Sequence, residues 1–205
     1  MNFPARIPFW IKWLYPSFTW QISTHEKFIY LTFDDGPHPR ITPLVLEMLN
    51  EYKAKATFFC IGDRVKLYPE IAQRILAEGH AIGNHTQHHL NGWSSTLDKY
   101  MDDVLQASSL TSSKLFRPPY GRIKGMQARQ IERQGYKIIM WTILSADYDA
   151  TLSKEACARR VTGNIDNGNI YLFHDSEKGE ERMLYALPKL LKQATAKGFL
   201  FKRIE

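Results

Sequence analysis

The sequence predicts a single α/β domain built on parallel strands, and three observations predict it. Short apolar runs alternate with stretches of helical periodicity along all 205 residues. Start and stop signals punctuate the alternation, with Ser153 opening one helical stretch and Gly79, Gly135 and Gly198 closing others. No Pro/Ser-rich linker, low-complexity tract or fixed-period repeat divides the chain.

The apolar runs fall at 28–33, 56–61, 80–83, 114–116, 136–143, 169–173 and 199–201. Helical periodicity occupies 42–52, 69–78, 96–110, 123–134, 154–164 and 182–197. Repeated crossovers of this kind pair strands in parallel, either as an open doubly wound sheet or as a barrel. A chain of this length buries about 70% of the surface it exposes when unfolded, so its core needs neither disulfides nor a structural metal. Any metal is therefore expected to be functional.

Residues 1–25 are expected to form an aromatic segment packed on a domain at 26–205. Pro4, Pro8 and Pro16 interrupt that segment, as do Arg6 and Lys12, so it predicts neither a membrane span nor a secretory signal. That leaves the cytoplasm as the default compartment and export by another route as the alternative. With 44% hydrophobic and 23% charged residues, global disorder is excluded. The net charge of +6 tolerates polyanions. The basic stretch at 122–137 has the spacing of a solvated helix face and lacks an aromatic platform, so no nucleic-acid partner is expected. Cys60 and Cys157 lie far apart in apolar or helical stretches and read as buried free thiols. Oligomeric state is not specified by anything in the sequence.

Chemistry is carried by where the polar residues fall. Asp34, Asp35, His85, Arg117, Asp147 and His174 lie at or just past the C-terminal ends of five predicted strands. Parallel sheets and barrels build their active sites at that edge. In Thr32-Phe33-Asp34-Asp35-Gly36-Pro37, two adjacent carboxylates become tolerable if a cation binds one of them. The bound ion then acidifies a water that the other can deprotonate. A plain Asp-Asp-Gly-Pro surface turn is the competing reading.

In Asn84-His85-Thr86-Gln87-His88-His89, His85 and His89 stand four apart, the spacing that aligns two imidazoles on one helical turn; His85 and His88 are the competing pair. Two histidines and one aspartate leave coordination positions open, which suits catalytic zinc or a similar divalent ion. A His-rich surface loop is the alternative. Pro118 and Pro119 stiffen the backbone around Arg117, whose planar guanidinium can hold a carboxylate, with Asp34 and Asp147 as candidates. His174 ends Leu172-Phe173-His174 and can donate a proton to a leaving group near neutral pH.

TFDDGP at 32–37, HTQHH at 85–89, RPPYG at 117–121 and LFH at 172–174, in that order, resemble the polysaccharide deacetylase family, carbohydrate esterase family 4 or the NodB-homology domain. The resemblance implies a distorted (β/α)7 barrel and metal-dependent hydrolysis of N-acetyl, less often O-acetyl, groups on a carbohydrate, an N-acetylglucosamine-containing glycan foremost. It makes Asp34 the general base and Asp35, His85 and His89 the ligands of a divalent ion, Zn2+ first and Co2+ or another ion as alternatives. His88 falls on a variable position and is a bystander. Arg117 would orient the base, His174 would be the general acid, Leu172 would line the acetyl-methyl pocket, and the Tyr120 N–H would help hold the oxyanion. Pro118 completes the expected substrate contacts with Tyr148, which stands where many members carry Trp after the aspartate corresponding to Asp147. Asp147 itself is expected to join Arg117 and His174 in one network. The rival readings are a non-catalytic carbohydrate-binding module on the same fold and a metal-dependent hydrolase of another amide or of a phosphoester.

Overall fold

A computed structural model describes residues 4–205. In chain order the elements are α1 (Phe9–Leu14), β1 (Phe28–Asp34), α2 (Ile41–Glu51), β2 (Ala56–Cys60), α3 (Gly62–Leu67), α4 (Pro69–Ala77) and β3 (Ala81–Asn84). They continue with α5 (Leu97–Thr111), β4 (Leu115–Phe116), α6 (Gly125–Arg133), β5 (Lys137–Ile138), β6 (Ile143–Leu144), α7 (Lys154–Thr162), β7 (Ile170–His174), α8 (Glu180–Ala196) and β8 (Leu200–Phe201). Every strand pairing is parallel, in the order β5-β4-β3-β2-β1-β7-β6, and β8 pairs with the start of β1.

The expected fold class is found: a single-domain, curled parallel sheet of the distorted (β/α)7 barrel type. Its curvature follows from connectivity. β5 and β6 are consecutive in the chain yet occupy opposite edges of the sheet. At roughly 3.3–3.6 Å per residue, the five steps from Ile138 to Ile143 reach no further than about 18 Å, so the two edges must face each other.

One expectation is corrected here. The apolar run at 136–143 is not one strand but β5 and β6 separated by the crossing of that gap. Segment 139–142 pairs with residues from before β1: Thr19 bridges Ile139, the Ile7 N–H donates to the Thr142 carbonyl at 2.9 Å, and the Leu144 N–H donates to Ala5 at 2.8 Å. The short helices α1 and α3 carry too little periodicity to be read from sequence.

Alternation along β1 decides what faces where. Ile29, Leu31 and Phe33 join Phe58 and Phe173 in the core against α2 and α8, with ring centroids of Phe33 5.0 Å from Phe58 and 5.8 Å from Phe173. Tyr30, Thr32 and Asp34 point the other way, into the barrel. Tyr30 there packs with Phe59, Leu115, Ile139, Ile170 and Ile204. The helices cover the outside with amphipathic faces, as Ile41, Val45, Leu46 and Leu49 of α2 show. Ser153 caps α7 by accepting from the Ala156 N–H at 3.2 Å, as its position suggests. Cys60 and Cys157 are free and buried.

Gly168 is where the segment before β1 meets the barrel most closely. It has φ +73, and a Cβ there would stand 1.8 Å from the Ile22 carbonyl oxygen, whose own N–H donates to Gly168 at 2.9 Å. Gly168→Ala is expected to lower the unfolding free energy by about 1–3 kcal/mol, measured by urea denaturation. An unchanged midpoint would show that this contact adds nothing to stability.

Candidate active site

Strand register assembles the site. Pairing sets Asp34 beside His174 across β1 and β7, Cys60 beside Asn84 across β2 and β3, and Asn84 beside Phe116 across β3 and β4. One residue further along each chain come Asp35, His85 and Arg117, all at the C-terminal edge. Leu172 is buried in a small apolar cluster with Leu144 and Ala146 immediately below.

Arg117 lies inside the barrel and is fully buried. Its Nη1 donates to Asp34 Oδ1 at 2.8 Å and Thr32 Oγ1 at 2.7 Å, while Nε and Nη2 donate to the carbonyls of Ile139 and Met140 at 3.0 and 2.8 Å. The guanidinium carbon lies 4.1 Å from the centroid of Phe59. Burial pulls its pKa down and the Asp34 carboxylate opposes this. Asp147 is not among its partners, so the single Arg117–Asp147–His174 network expected from sequence is corrected to two separate pairs. Four of the guanidinium's five N–H groups are already engaged by Asp34, Thr32 and two carbonyls.

Asp147 serves His174 instead. Its Oδ1 accepts from His174 Nδ1 at 2.7 Å and its Oδ2 accepts the His174 backbone N–H at 2.8 Å. Burial disfavours the charged imidazole, but the Asp147 carboxylate with the more distant charges of Asp35 and Asp34 outweighs it and raises the pKa to about 9. With Nδ1 occupied, Nε2 is the nitrogen that can give up a proton.

Asp35 turns away from Asp34 through a left-handed backbone, φ 78, just before the Gly36–Pro37 cis peptide. Its Oδ1 lies 3.1 Å from His89 Nε2 and 3.6 Å from His85 Nε2, is buried, and has no hydrogen-bond partner. Burial works against its ionisation, yet the imidazoles of His89, His174 and His85 hold it well below the usual carboxylate range. His85 Nδ1 donates to the Arg117 carbonyl at 2.7 Å, which fixes the tautomer and leaves the Nε2 lone pair free. Burial lowers the His85 pKa to about 4, so the imidazole is neutral, the form that binds metal. One donor atom from each of Asp35, His85 and His89 lies within 4.8 Å of the others. An orphaned carboxylate oxygen facing two imidazole nitrogens is a donor set that fits a divalent cation.

His85 and His89 are not on a helical turn, as their spacing had suggested. They flank a loop in which Thr86 and His89 both have positive φ, at 64 and 56. His88 faces away toward Asp103 and Asp63. Of the expected substrate contacts, Tyr120 is 61% exposed with its ring 4.5 Å from His89, and Tyr148 is partly exposed with its ring 5.1 Å from His174. Pro118 is buried and leads into the short 3-10 turn at Pro119–Gly121.

Three residues escaped the sequence reading. Thr32 accepts from Arg117 and donates to the Tyr171 carbonyl at 2.6 Å; a hydroxyl amid an apolar strand was the available signal. Asp175 accepts from Thr42 and lies so close to Gly36 that a Cβ there would be 2.2 Å from its Oδ2. Burial raises Asp175 to about 7. Asp103 holds the His85–His89 loop; a carboxylate on the apolar stripe of its helix, between Tyr100 and Ala107, was the available signal.

The sequence model of the family described as polysaccharide deacetylase matches residues 21–139. A peptidoglycan-N-acetylglucosamine deacetylase of Bacillus cereus is 37% identical over 189 residues, covering 89% of each chain. A chitooligosaccharide deacetylase of Azorhizobium caulinodans is 33% identical over 172 residues, 80% of this chain and 81% of that one. Among solved structures, a peptidoglycan N-acetylglucosamine deacetylase in complex with a naphthalenyl N-oxidanyl-benzamide superposes with TM-score 0.88 at 30% identity, over 97% of this chain and 95% of that one. The chain belongs to the polysaccharide deacetylase family, carbohydrate esterase family 4.

The His174–Asp147 pair has a pH signature. The His174 imidazole moves from 6.5 to about 9 on folding, so the pair's stabilisation is complete below about pH 6.5 and fades as pH rises through 9. Asp147→Asn is therefore expected to lower the urea midpoint most at pH 6, with the gap from wild type narrowing toward pH 10. A gap constant across that range would mean that the imidazole is not charged by its partner.

Proposed function

We propose that this protein is a metal-dependent deacetylase that removes N-acetyl groups from a glycan containing N-acetylglucosamine. One observation carries the reading: an Arg-paired carboxylate, a cation-ready Asp-His-His set and a carboxylate-paired histidine meet at one barrel edge. The relatives that act on peptidoglycan and on chitooligosaccharides support the substrate class.

Asp35, His85 and His89 would hold the ion, zinc first among the divalent candidates. Bound there, it supplies a Lewis acid for the acetyl carbonyl and lowers the pKa of a water. Asp34 takes the proton of the attacking water. Its Oδ1 is held by Arg117, so Oδ2, 3.8 Å from His85 Nε2, is the oxygen left for this work. The Tyr120 N–H stabilises the oxyanion as the carbonyl becomes tetrahedral. Leu172, with Leu144 and Ala146, offers an apolar wall for the acetyl methyl group. Tyr120 and Tyr148 border the sugar, and the buried Pro118 leads into the turn that carries Tyr120.

His174 then protonates the departing nitrogen from Nε2. An amine leaves poorly without that proton, whereas an alcohol needs it less. An imidazole whose pKa its Asp147 carboxylate raises suits N-acetyl substrates, where the departing nitrogen must take up a proton. Asp147 keeps that imidazolium oriented and charged.

Asp34→Asn and His174→Ala are each expected to slow acetate release from an acetylated chito-oligosaccharide by roughly 100- to 10,000-fold while zinc content stays at the wild-type level. Asp35→Asn and His85→Ala should lose the metal itself, measured by elemental analysis after dialysis. Metal loss in Asp34→Asn with retention in Asp35→Asn would exchange the two carboxylate roles. Glycan binding with no acetate release under zinc or cobalt would favour the binding-module alternative.

A further inference from the structure

The loop at 85–89 carries two of the three proposed metal ligands with neither helix nor strand to hold them, so its shape must be imposed from outside. Thr86 and His89 sit in left-handed backbone, φ 64 and 56. For residues with side chains that conformation is strained and persists only where the surroundings dictate it. Between these two lie the N–H groups of Gln87 and His88. Both donate to Asp103 Oδ2 of α5, at 2.9 and 3.0 Å, and the His88 imidazole donates from Nδ1 to Oδ1 of the same carboxylate. The Gln87 N–H also lies 3.1 Å from the Asp103 carbonyl oxygen.

Asp103 is 5% exposed, and a carboxylate that deep in the protein needs several donors. All three of those just named come from this one loop. The next residue of α5 grips the other side of His85: the Val104 carbonyl accepts from Asn84 Nδ2 at 2.8 Å, and Asn84 Oδ1 accepts the Thr86 N–H at 2.8 Å. The start of α3 adds a grip on the carbonyls, with the N–H groups of Gly62 and Asp63 donating to Thr86 and Gln87 at 2.9 and 3.0 Å. Among the described residues, Asp103 is the one charged side chain that takes the N–H side of the loop.

We propose that Asp103 is a positioning residue for the metal site, setting the angle between the His85 and His89 imidazoles through the backbone it clamps. It touches neither ion nor substrate. The inference rests on Asp35, His85 and His89 being the ligands, and it deepens that reading by naming what preorganises them.

The test is metal binding by the purified, metal-stripped chain, for wild type, Asp103→Ala and Asp103→Asn. Cobalt uptake is followed by its visible absorption and zinc affinity by competition with a chromophoric chelator. Asp103→Ala is expected to bind both ions on the order of 10- to 100-fold more weakly, with an altered cobalt band and a retained far-UV circular dichroism spectrum. Asp103→Asn keeps a carbonyl oxygen for the two N–H groups and should fall between the two. Wild-type affinity and an unchanged band in Asp103→Ala overturn the positioning role, even if Tm falls, because a merely structural residue would give that pattern. If Asp103→Ala does not fold, the same two readouts on Asp103→Asn decide: weaker binding supports the role and wild-type binding overturns it. Absence of cobalt uptake by the wild-type chain removes the metal reading, and the inference with it, a result distinct from failure of Asp103 alone.

Discussion

A guanidinium in the middle of the barrel is the constraint on which the rest of the structure depends. Taking Arg117 out of water is expensive, and removing one partner from a buried ion pair costs roughly 3–5 kcal/mol. The structure answers with acceptors for four of the guanidinium's five N–H groups: the carboxylate of Asp34, the hydroxyl of Thr32 and the carbonyls of Ile139 and Met140, with Phe59 beneath the flat face. A lysine has neither the planar fork nor the number of donors to reach them all. The two carbonyls belong to the segment that crosses from β5 to β6, so the residue that holds Asp34 also holds the barrel closed. Its own carbonyl takes the Nδ1 proton of His85. Barrel closure, the carboxylate and the imidazole tautomer are therefore coupled through a single residue, the first two by its side chain and the third by its carbonyl.

That coupling explains how two adjacent aspartates can have different electrostatic lives. Asp34 belongs to the inward series of β1 and meets the fixed positive charge of Arg117. One residue later the chain has left the strand, and the left-handed turn at Asp35 sends its carboxylate toward two imidazoles. His174, paired with Asp34 in register, finds its counter-charge on a different chain segment, at Asp147. The neighbouring carboxylates thus meet three different partners: Asp34 a permanent cation, Asp35 two imidazole nitrogens, and Asp147 the His174 imidazole, whose pKa it raises against burial.

The residues of the site were legible in the sequence because parallel strands deliver their C-terminal ends to one edge, and polar residues there stand out against apolar runs. Asp34, Asp35, His85, Arg117 and His174 all announced themselves in this way. What was hidden depends on long-range geometry. The run at 136–143 has continuous strand character, and only the closing of the barrel splits it. The four-residue spacing of His85 and His89 fits a helical turn as well as it fits a strained loop, and the loop wins because Asn84, Asp103 and the start of α3 take its backbone groups. Asp103 falls on the apolar stripe of α5 between Tyr100 and Ala107, so its burial follows the helical period, but the loop it holds cannot be read locally. Asp147 lies at the edge the sequence predicts, but its separation from Arg117 is hidden there, because nothing in the sequence shows that Asp34, Thr32 and two carbonyls engage the guanidinium.

Register and strain divide the work of building this edge. Asp34, Arg117 and Leu172 are placed by regular strands or the first residue beyond them, where hydrogen-bonded pairing fixes position with little local cost. Of the seven non-glycine residues with positive φ among the described residues, five lie in the rim loops: Asp35, Thr86, His89, Tyr120 and Ala146; the other two, Lys53 and Ser112, end helices. Backbone in that region survives only when neighbours over-determine it. The neighbours are visible in each of two cases: Asp103 and Asn84 around Thr86 and His89, and Asp175 against the turn that follows Asp35. A substitution in the barrel interior therefore acts first on folding, through lost pairing and an orphaned charge. One beneath the rim acts first on the angles at which donor atoms meet, and leaves the barrel standing.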